Sequence, residues 1–296
     1  MLAPVDGLLY ILGDCYQPFI RKKMSKGTYV IKSYQLLHFT LPRFSITYFY
    51  INTFMKHFFT FLFVVASITA FAQARRIKHA GNTFDVYIAT PQKDNIQTYW
   101  KNHRGEKLIS LTNLKKNVEQ KGKELVFATN AGIYLEDNSP QGLYVENGKE
   151  LRPLDTKKKK SNANFYMQPN GVFLLTKTGA KVVVTEEYKT YKSQTVYATQ
   201  SGPMLVINGK INSIFRKGSA NNGYIRSGVG INDKGEVVFA ISNGPSNFYD
   251  FATLFRDILR CDNALYLDGA ICRSYIPSLK RLQLGGNFGA MIGVTK

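Results

Sequence analysis

The residues of this chain most able to do chemistry are polar groups that close apolar runs. They are Asn130 with Gly132 after Leu125-Val-Phe-Ala, Gln200-Ser201-Gly202-Pro203 before Met204, and Arg226 before Ser-Gly-Val-Gly-Ile. Asn243 follows Val238-Phe-Ala-Ile-Ser, and Asp268-Gly269 follows Leu265-Tyr-Leu. Binding groups collect where strands end, so a carboxylate, a guanidinium and several carboxamides at such ends form a set able to hold a polar ligand. Each also has an ordinary reading: Asn130-Ala-Gly and Asp268-Gly as turns, Pro203 as the start of an edge strand, Arg226 as the partner of an acid.

Several other chemistries lose support. After residue 74 the only histidines are His79 and His103, both within the next thirty residues and far from any Gly-x-Ser-x-Gly turn, which disfavours a Ser-His-Asp hydrolase. There is no His-x-x-x-His pair, no Gly-x-x-x-x-Gly-Lys loop and no Gly-x-Gly-x-x-Gly after a strand, so zinc hydrolysis, nucleotide hydrolysis and hydride transfer are not indicated. No metal ligand set and no cofactor are expected. Cys261 and Cys272 are the only cysteines after residue 74; an oxidising compartment would permit a bridge between them, and two buried free thiols are the alternative.

The elements that must position these groups read as an α+β domain. Its central sheet is largely antiparallel or mixed, with several β-hairpins and a few flanking helices. Alternation predicts strands at Phe84–Ile88 and Leu108–Leu111, then a helix capped by Thr112 or Asn113, striped by Leu114 and Val118 and ended by Gly122. Strand Leu125–Ala128 runs straight into Asn130. Asn147-Gly148, Asn170-Gly171, Asn208-Gly209 and Asp233-Lys-Gly235 read as tight turns, the last joining central strands 227–231 and 236–241. Ser246 or Asn247 caps a helix from Phe248 to Leu259, strand Ala264–Leu267 stops at Asp268, and a last strand covers 290–294.

Met55-Lys-His, the apolar run Phe58–Phe71 and Ala72-Gln-Ala74 before Arg75-Arg76 have the order of a signal peptide, cut after Ala74. Residues 1–54 then read as a mis-called upstream start, or else as a real extension with an internal anchor, and residues 75–296 as one domain of a size that buries a substantial core. The expected place is the periplasm or the medium, with no membrane anchor retained after cleavage. Residues 75–296 carry 32 basic against 18 acidic residues, a net +14, which favours anionic partners. Export argues against nucleic acid, and the run Lys157–Lys160 has no interleaved aromatics to stack on bases, so it reads as a solvated loop. The oligomeric state is not legible.

The order Asn130-Ala-Gly-Ile-Tyr, Pro140-Gln-Gly-Leu-Tyr, Asn170-Gly-Val-Phe, Gln200-Ser-Gly-Pro-Met-Leu, Arg226-Ser-Gly, Val238-Phe-Ala-Ile-Ser and Leu265-Tyr-Leu-Asp-Gly resembles the phosphodiester glycosidase family. The resemblance covers nearly all of residues 75–296. Many members follow the Asp-Gly with glycines and a serine; here Ala270-Ile-Cys-Arg-Ser-Tyr stands there, which is similar to an exported bacterial subgroup, as is the closing Gly285-Gly-Asn-Phe-Gly-Ala-Met-Ile-Gly. The resemblance implies hydrolysis of a sugar-1-phosphodiester, of the N-acetylglucosamine type, at the bond between the anomeric carbon and the phosphate oxygen. Asp268 would stabilise or attack the oxocarbenium-like carbon and Arg226 would hold the phosphate. Asn130, Gly132, Gln200, Ser201, Gly202, Asn243 and Gly269 would line the substrate, and Glu136, Asp137 or Asp262 would supply any second carboxylate. Two rivals stay open: a non-catalytic envelope module that binds phosphorylated glycans, and a metal-assisted phosphodiesterase that cuts P–O.

Overall fold

A computed structural model describes residues 73–158, 163–218, 224–269 and 272–296. The expected signal peptide and upstream segment lie outside the described residues, apart from Gln73 and Ala74. The strands, in chain order, are β1 (Ala74–His79), β2 (Asn82–Ala89), β3 (Asn95–Tyr99), β4 (Leu125–Asn130), β5 (Tyr144–Glu146), β6 (Lys149–Arg152), β7 (Gly171–Thr176) and β8 (Ala180–Val184). They continue with β9 (Thr195–Ser201), β10 (Met204–Ile207), β11 (Lys210–Ile211), β12 (Ser227–Asn232), β13 (Val237–Ser242), β14 (Cys261–Asp268), β15 (Ser274–Ile276), β16 (Arg281–Leu282) and β17 (Met291–Thr295). Helix α1 spans Leu111–Glu119 and α2 spans Phe248–Thr253, the latter continuing as a π-helical stretch through Leu254–Ile258.

The α+β class holds, with antiparallel pairing, but the strands form three sheets. Their orders are β1-β2-β13-β12-β14-β10-β11, β16-β15-β4-β17-β3 and β6-β5-β9-β7-β8. Alternation sends one face of each sheet inward to a shared core, where Tyr87, Phe127 and Phe239 stack with ring centroids 4.6 and 4.7 Å apart and Phe173 meets Phe239 edge-on. Helix α2 covers the outer face of the first sheet. Gly228 and Gly230 make room there: a Cβ on Gly230 would lie 2.9 Å from the Phe255 ring, and one on Gly228 3.1 Å from Phe251. Helix α1 covers the outer face of the second sheet through Leu111, Leu114 and Val118.

The first helix starts earlier than expected, and the second starts where expected. Ser110 caps α1, its Oγ accepting the Asn113 N–H at 3.2 Å, so the apolar Leu108–Leu111 run is the lead into a helix and not a strand. Asn247 caps α2 by accepting the Asp250 N–H at 2.8 Å. Asn147-Gly148 and Asn208-Gly209 are hairpin turns with positive φ at both residues. Asn170-Gly171 is not a turn: Gly171 opens β7, and Asn170 is buried with its amide donating to the Phe165 carbonyl at 3.1 Å and its carbonyl accepting the Thr185 hydroxyl at 2.7 Å.

Candidate active site

Asp268 ends β14, and the register of that strand decides where its carboxylate points. Val229 pairs with Leu265 and Gly228 with Tyr266, yet Ser227 pairs with Asp268, so Leu267 is an extra residue in the ladder. Without this bulge Asp268 would share the face of Tyr266, under α2. With it, Asp268 returns to the face of Val229 and Leu265, which looks into the space between the sheets. The side chain is 9% exposed. Its Oδ2 accepts the Asn130 Nδ2–H at 3.0 Å and its Oδ1 accepts the Gly269 N–H at 2.6 Å. Both oxygens are thus held from the protein side, fixing the orientation of the carboxylate.

The ends of the other sheets close on the same place. Ser227 on β12 donates its hydroxyl to the Asp268 carbonyl at 3.2 Å, and Ser201, ending β9, donates to the Leu267 carbonyl at 3.0 Å. Thr199 donates to the Ala131 carbonyl at 3.2 Å, and a Cβ on Gly132 would lie 3.2 Å from both the Gln200 carbonyl and the Ser201 Cβ, so glycine there lets the Asn130-Ala-Gly turn sit against β9. Asp268, Gly269, Asn130, Gly132 and Ser201 therefore meet where the three sheets converge. Tyr134 joins them: burial first, and the charge of Asp268 second, push its phenol pKa up, and its hydroxyl donates to the Asn287 carbonyl.

Other expected site residues are placed elsewhere. Arg226 is 1% exposed; its Nε donates to the Ser246 carbonyl at 2.6 Å and its guanidinium carbon sits 3.7 Å above the Phe248 ring. Burial lowers its pKa, against the opposing pull of Tyr266. This cation is buried against the Phe248 ring and ties β12 to the start of α2, a placement the expectation of a phosphate-holding residue did not include. It also lies 5.6 Å from the ring of Tyr266, whose hydroxyl lies where a Cβ on Gly269 would be. Gln200 is also structural: its Oε1 accepts the Leu143 and Asp155 N–H groups at 3.0 and 2.9 Å, and its Nε2 donates to the Asp155 carbonyl at 2.7 Å and the Thr185 hydroxyl at 3.2 Å. Gly202 is packed against Asn170, whose Cβ would be 2.7 Å from any added methyl.

Asn243 joins a second polar cluster, donating to Asp85 Oδ1 at 3.2 Å and accepting from Arg281. Of the three candidate second carboxylates, Asp262 lies at the opposite end of β14 from Asp268. Asp137 accepts the Ser139 hydroxyl and N–H, bonds that hold its pKa down at about 2 and make it a weak base near neutral pH. Glu136 is exposed on the same loop. Cys261 and Cys272 are free thiols; Cys261 begins β14 and Cys272 follows its far end, a separation no disulfide spans. Among the described residues no three His, Cys, Asp or Glu side chains gather as a metal site. Sequence reasoning missed Tyr134 and Ser227. Both stand inside motifs that carry the resemblance, Asn130-Ala-Gly-Ile-Tyr and Arg226-Ser-Gly, which was the available signal.

Residues 123–276 match the family model for phosphodiester glycosidases, a span that holds Asn130, Ser201, Ser227 and Asp268. The chain is 37% identical over 194 residues to the uncharacterized protein YigE of Escherichia coli (strain K12), covering 66% of this chain and 74% of that one. The catalytic domain of zebrafish N-acetylglucosamine-1-phosphodiester alpha-N-acetylglucosaminidase, auto-inhibited by its pro-peptide, shares the fold with a TM-score of 0.52 at 12% identity, over 75% of this chain and 81% of that one. A hypothetical protein from Synechocystis aligns at a TM-score of 0.44 and 13% identity, over 75% of this chain and 61% of that one.

Proposed function

Since the chain belongs to the phosphodiester glycosidase family, we propose that it hydrolyses the glycosidic C–O bond of a sugar-1-phosphodiester. The observation that carries the reading is the oriented carboxylate of Asp268 at the junction of the three sheets. Breaking the bond from C1 to the phosphate oxygen leaves the bonding electrons on that oxygen and positive charge on the sugar ring, which a carboxylate beside C1 stabilises or captures. Water then supplies the oxygen that ends on C1 and a proton to the products, giving free sugar and a phosphomonoester. Because the phosphate is a good leaving group, the step has little need of a strong general acid. Asn130 fixes the carboxylate, and Tyr134 and the Ser201 turn form walls of the substrate space.

N-acetylglucosamine is the first sugar to test, since it is the one in the zebrafish protein's name. Action outside the cytoplasm on envelope or secreted glycans is part of the same proposal and is supported by the signal-peptide order from Met55. The test is turnover of N-acetylglucosamine-1-phosphodiesters by the purified protein in ¹⁸O-labelled water. Label is expected on the sugar; label on phosphate would mean P–O cleavage and overturn the reading. A protein that binds phosphorylated glycans and turns none over would be the binding module instead.

A further inference from the structure

With Arg226 enclosed, the phosphate of the proposed substrate needs another cation. Among the described arginines, Arg76 and Arg281 pair with Asp85, Arg104 with Glu106, Arg256 with Asp257 and Arg260 with Asp233. Arg75 on β1, Arg152 at the end of β6, Arg216 after β11 and Arg273 have no ion pair among the described residues, and of these four only Arg273 has its backbone bonded to Asn130. Arg273 is exposed, and among the described residues its hydrogen bonds are made by backbone atoms and its guanidinium enters no ion pair. Its backbone, by contrast, is pinned to the site. Its N–H donates to Asn130 Oδ1 at 3.4 Å and its carbonyl accepts the Thr129 hydroxyl at 3.0 Å. The same Asn130 side chain donates from its nitrogen to Asp268, so one carboxamide couples the carboxylate and the arginine backbone. The guanidinium runs along the glycine segment that follows β16: a Cβ on Gly285 would lie 3.7 Å from Nη1 and 3.9 Å from the guanidinium carbon. The absence of a side chain at Gly285 leaves the fork open.

We propose that Arg273, and not Arg226, receives the phosphate of the substrate, with Arg226 acting only as a positioning residue beneath Tyr266 and Gly269. This rests on the sugar-1-phosphodiester reading of the Asp268 site. A guanidinium suits the place because its planar fork binds two phosphate oxygens and its charge opposes the negative charge that grows on phosphate as the bond from C1 breaks. An exposed arginine on the rim also leaves the rest of the phosphodiester, whatever it is, free to extend into solvent.

The test compares wild type with Arg273→Ala, Arg273→Lys and Arg226→Lys on an N-acetylglucosamine-1-phosphodiester and on an uncharged aryl glycoside of the same sugar, with inorganic phosphate as inhibitor and direct ligand. Arg273→Ala is expected to lower kcat/KM for the phosphodiester about 100-fold, from losing a charge-assisted contact that strengthens in the transition state. The loss on the uncharged glycoside should be at least about tenfold smaller, Arg273→Lys should recover part of the activity, and phosphate inhibition should weaken with Arg273→Ala alone. Equal losses on both substrates, or unchanged phosphate inhibition, would overturn the assignment while leaving the hydrolase reading intact. If wild type turns over no phosphodiester, phosphate binding that disappears in Arg273→Ala upholds the anion site and sinks the reaction, whereas phosphate binding indifferent to Arg273 sinks the anion site. Arg273 is exposed, so melting temperatures near wild type should accompany each Arg273 variant.

Discussion

At the residue scale the carboxylate and the amides that surround it do different work. Asp268 has both oxygens held by donors from Asn130 and Gly269, and Asp268→Asn keeps the shape while removing the charge. Turnover of the phosphodiester should fall by about three orders of magnitude or more, with phosphate affinity kept or improved; a variant within about tenfold of wild type would remove Asp268 from the chemistry. Gln200 has a full set of structural partners, so Gln200→Ala leaves the buried N–H of Leu143 and the half-buried N–H of Asp155 without this acceptor. Its cost should appear in denaturant unfolding, about 2–4 kcal/mol for these two donors, with any change in activity following the loss of folded protein. Asp268, Asn130 and Ser201 could be found in the sequence because each lies at the border of an apolar run. The same logic misassigned Gln200 and Arg226, since a polar residue at a strand end serves a neighbouring loop or a buried cluster as readily as a ligand, and only the contacts separate the two.

At the element scale the bulge at Leu267 is what makes the site. Strand pattern gave β12 and β13 within a residue and β4 within two, and only half of β14, because alternation and Gly turns report one strand at a time. It could not give the division into three sheets or the extra residue in β14, since both depend on pairing between segments distant in sequence. The bulge also sets Tyr266 and Gly269 against each other. A Cβ on Gly269 would collide with the Tyr266 hydroxyl and approach the Ile225 carbonyl to 3.0 Å. Gly269→Ala should therefore displace the N–H that holds Asp268, lowering both stability and turnover. Tyr266→Phe removes the colliding oxygen, so the double variant should be more stable than the sum of the two single changes predicts, by about 1 kcal/mol or more in a double-mutant cycle. Strict additivity would mean that the glycine answers to backbone conformation alone.

At the scale of the whole molecule the first two sheets are joined by a charge cluster distinct from the site. Asp85 on β2 is 1% exposed and accepts from Arg76 on β1 at 2.7 Å and from Arg281 on β16 at 2.9 Å, with Asn243 beyond β13 as a third donor. Arg76 also reaches the Leu279 carbonyl at 3.4 Å, so the N-terminal strand is fastened to the segment before β16. Burial alone would push the Asp85 pKa up. The hydrogen bonds from Arg76, Arg281 and Asn243 together with the charge of Arg281 outweigh it and hold the carboxyl below its ordinary value. A group whose pKa is depressed by folding adds stability that is complete above its unfolded pKa, about 4, and is lost as pH falls through the lower folded value. Asp85→Asn leaves Arg281 buried without its counter-charge and should cost about 3–5 kcal/mol at pH 7. That difference from wild type should persist down to about pH 5 and shrink below about pH 4, where wild type loses the same charge by protonation. Unfolding measured in denaturant from pH 7 to pH 2.5 for both proteins reads it directly. A gap that stays constant to the acid end would show that Asp85 contributes through shape and neutral hydrogen bonds, and that the sheets are not held together by its charge.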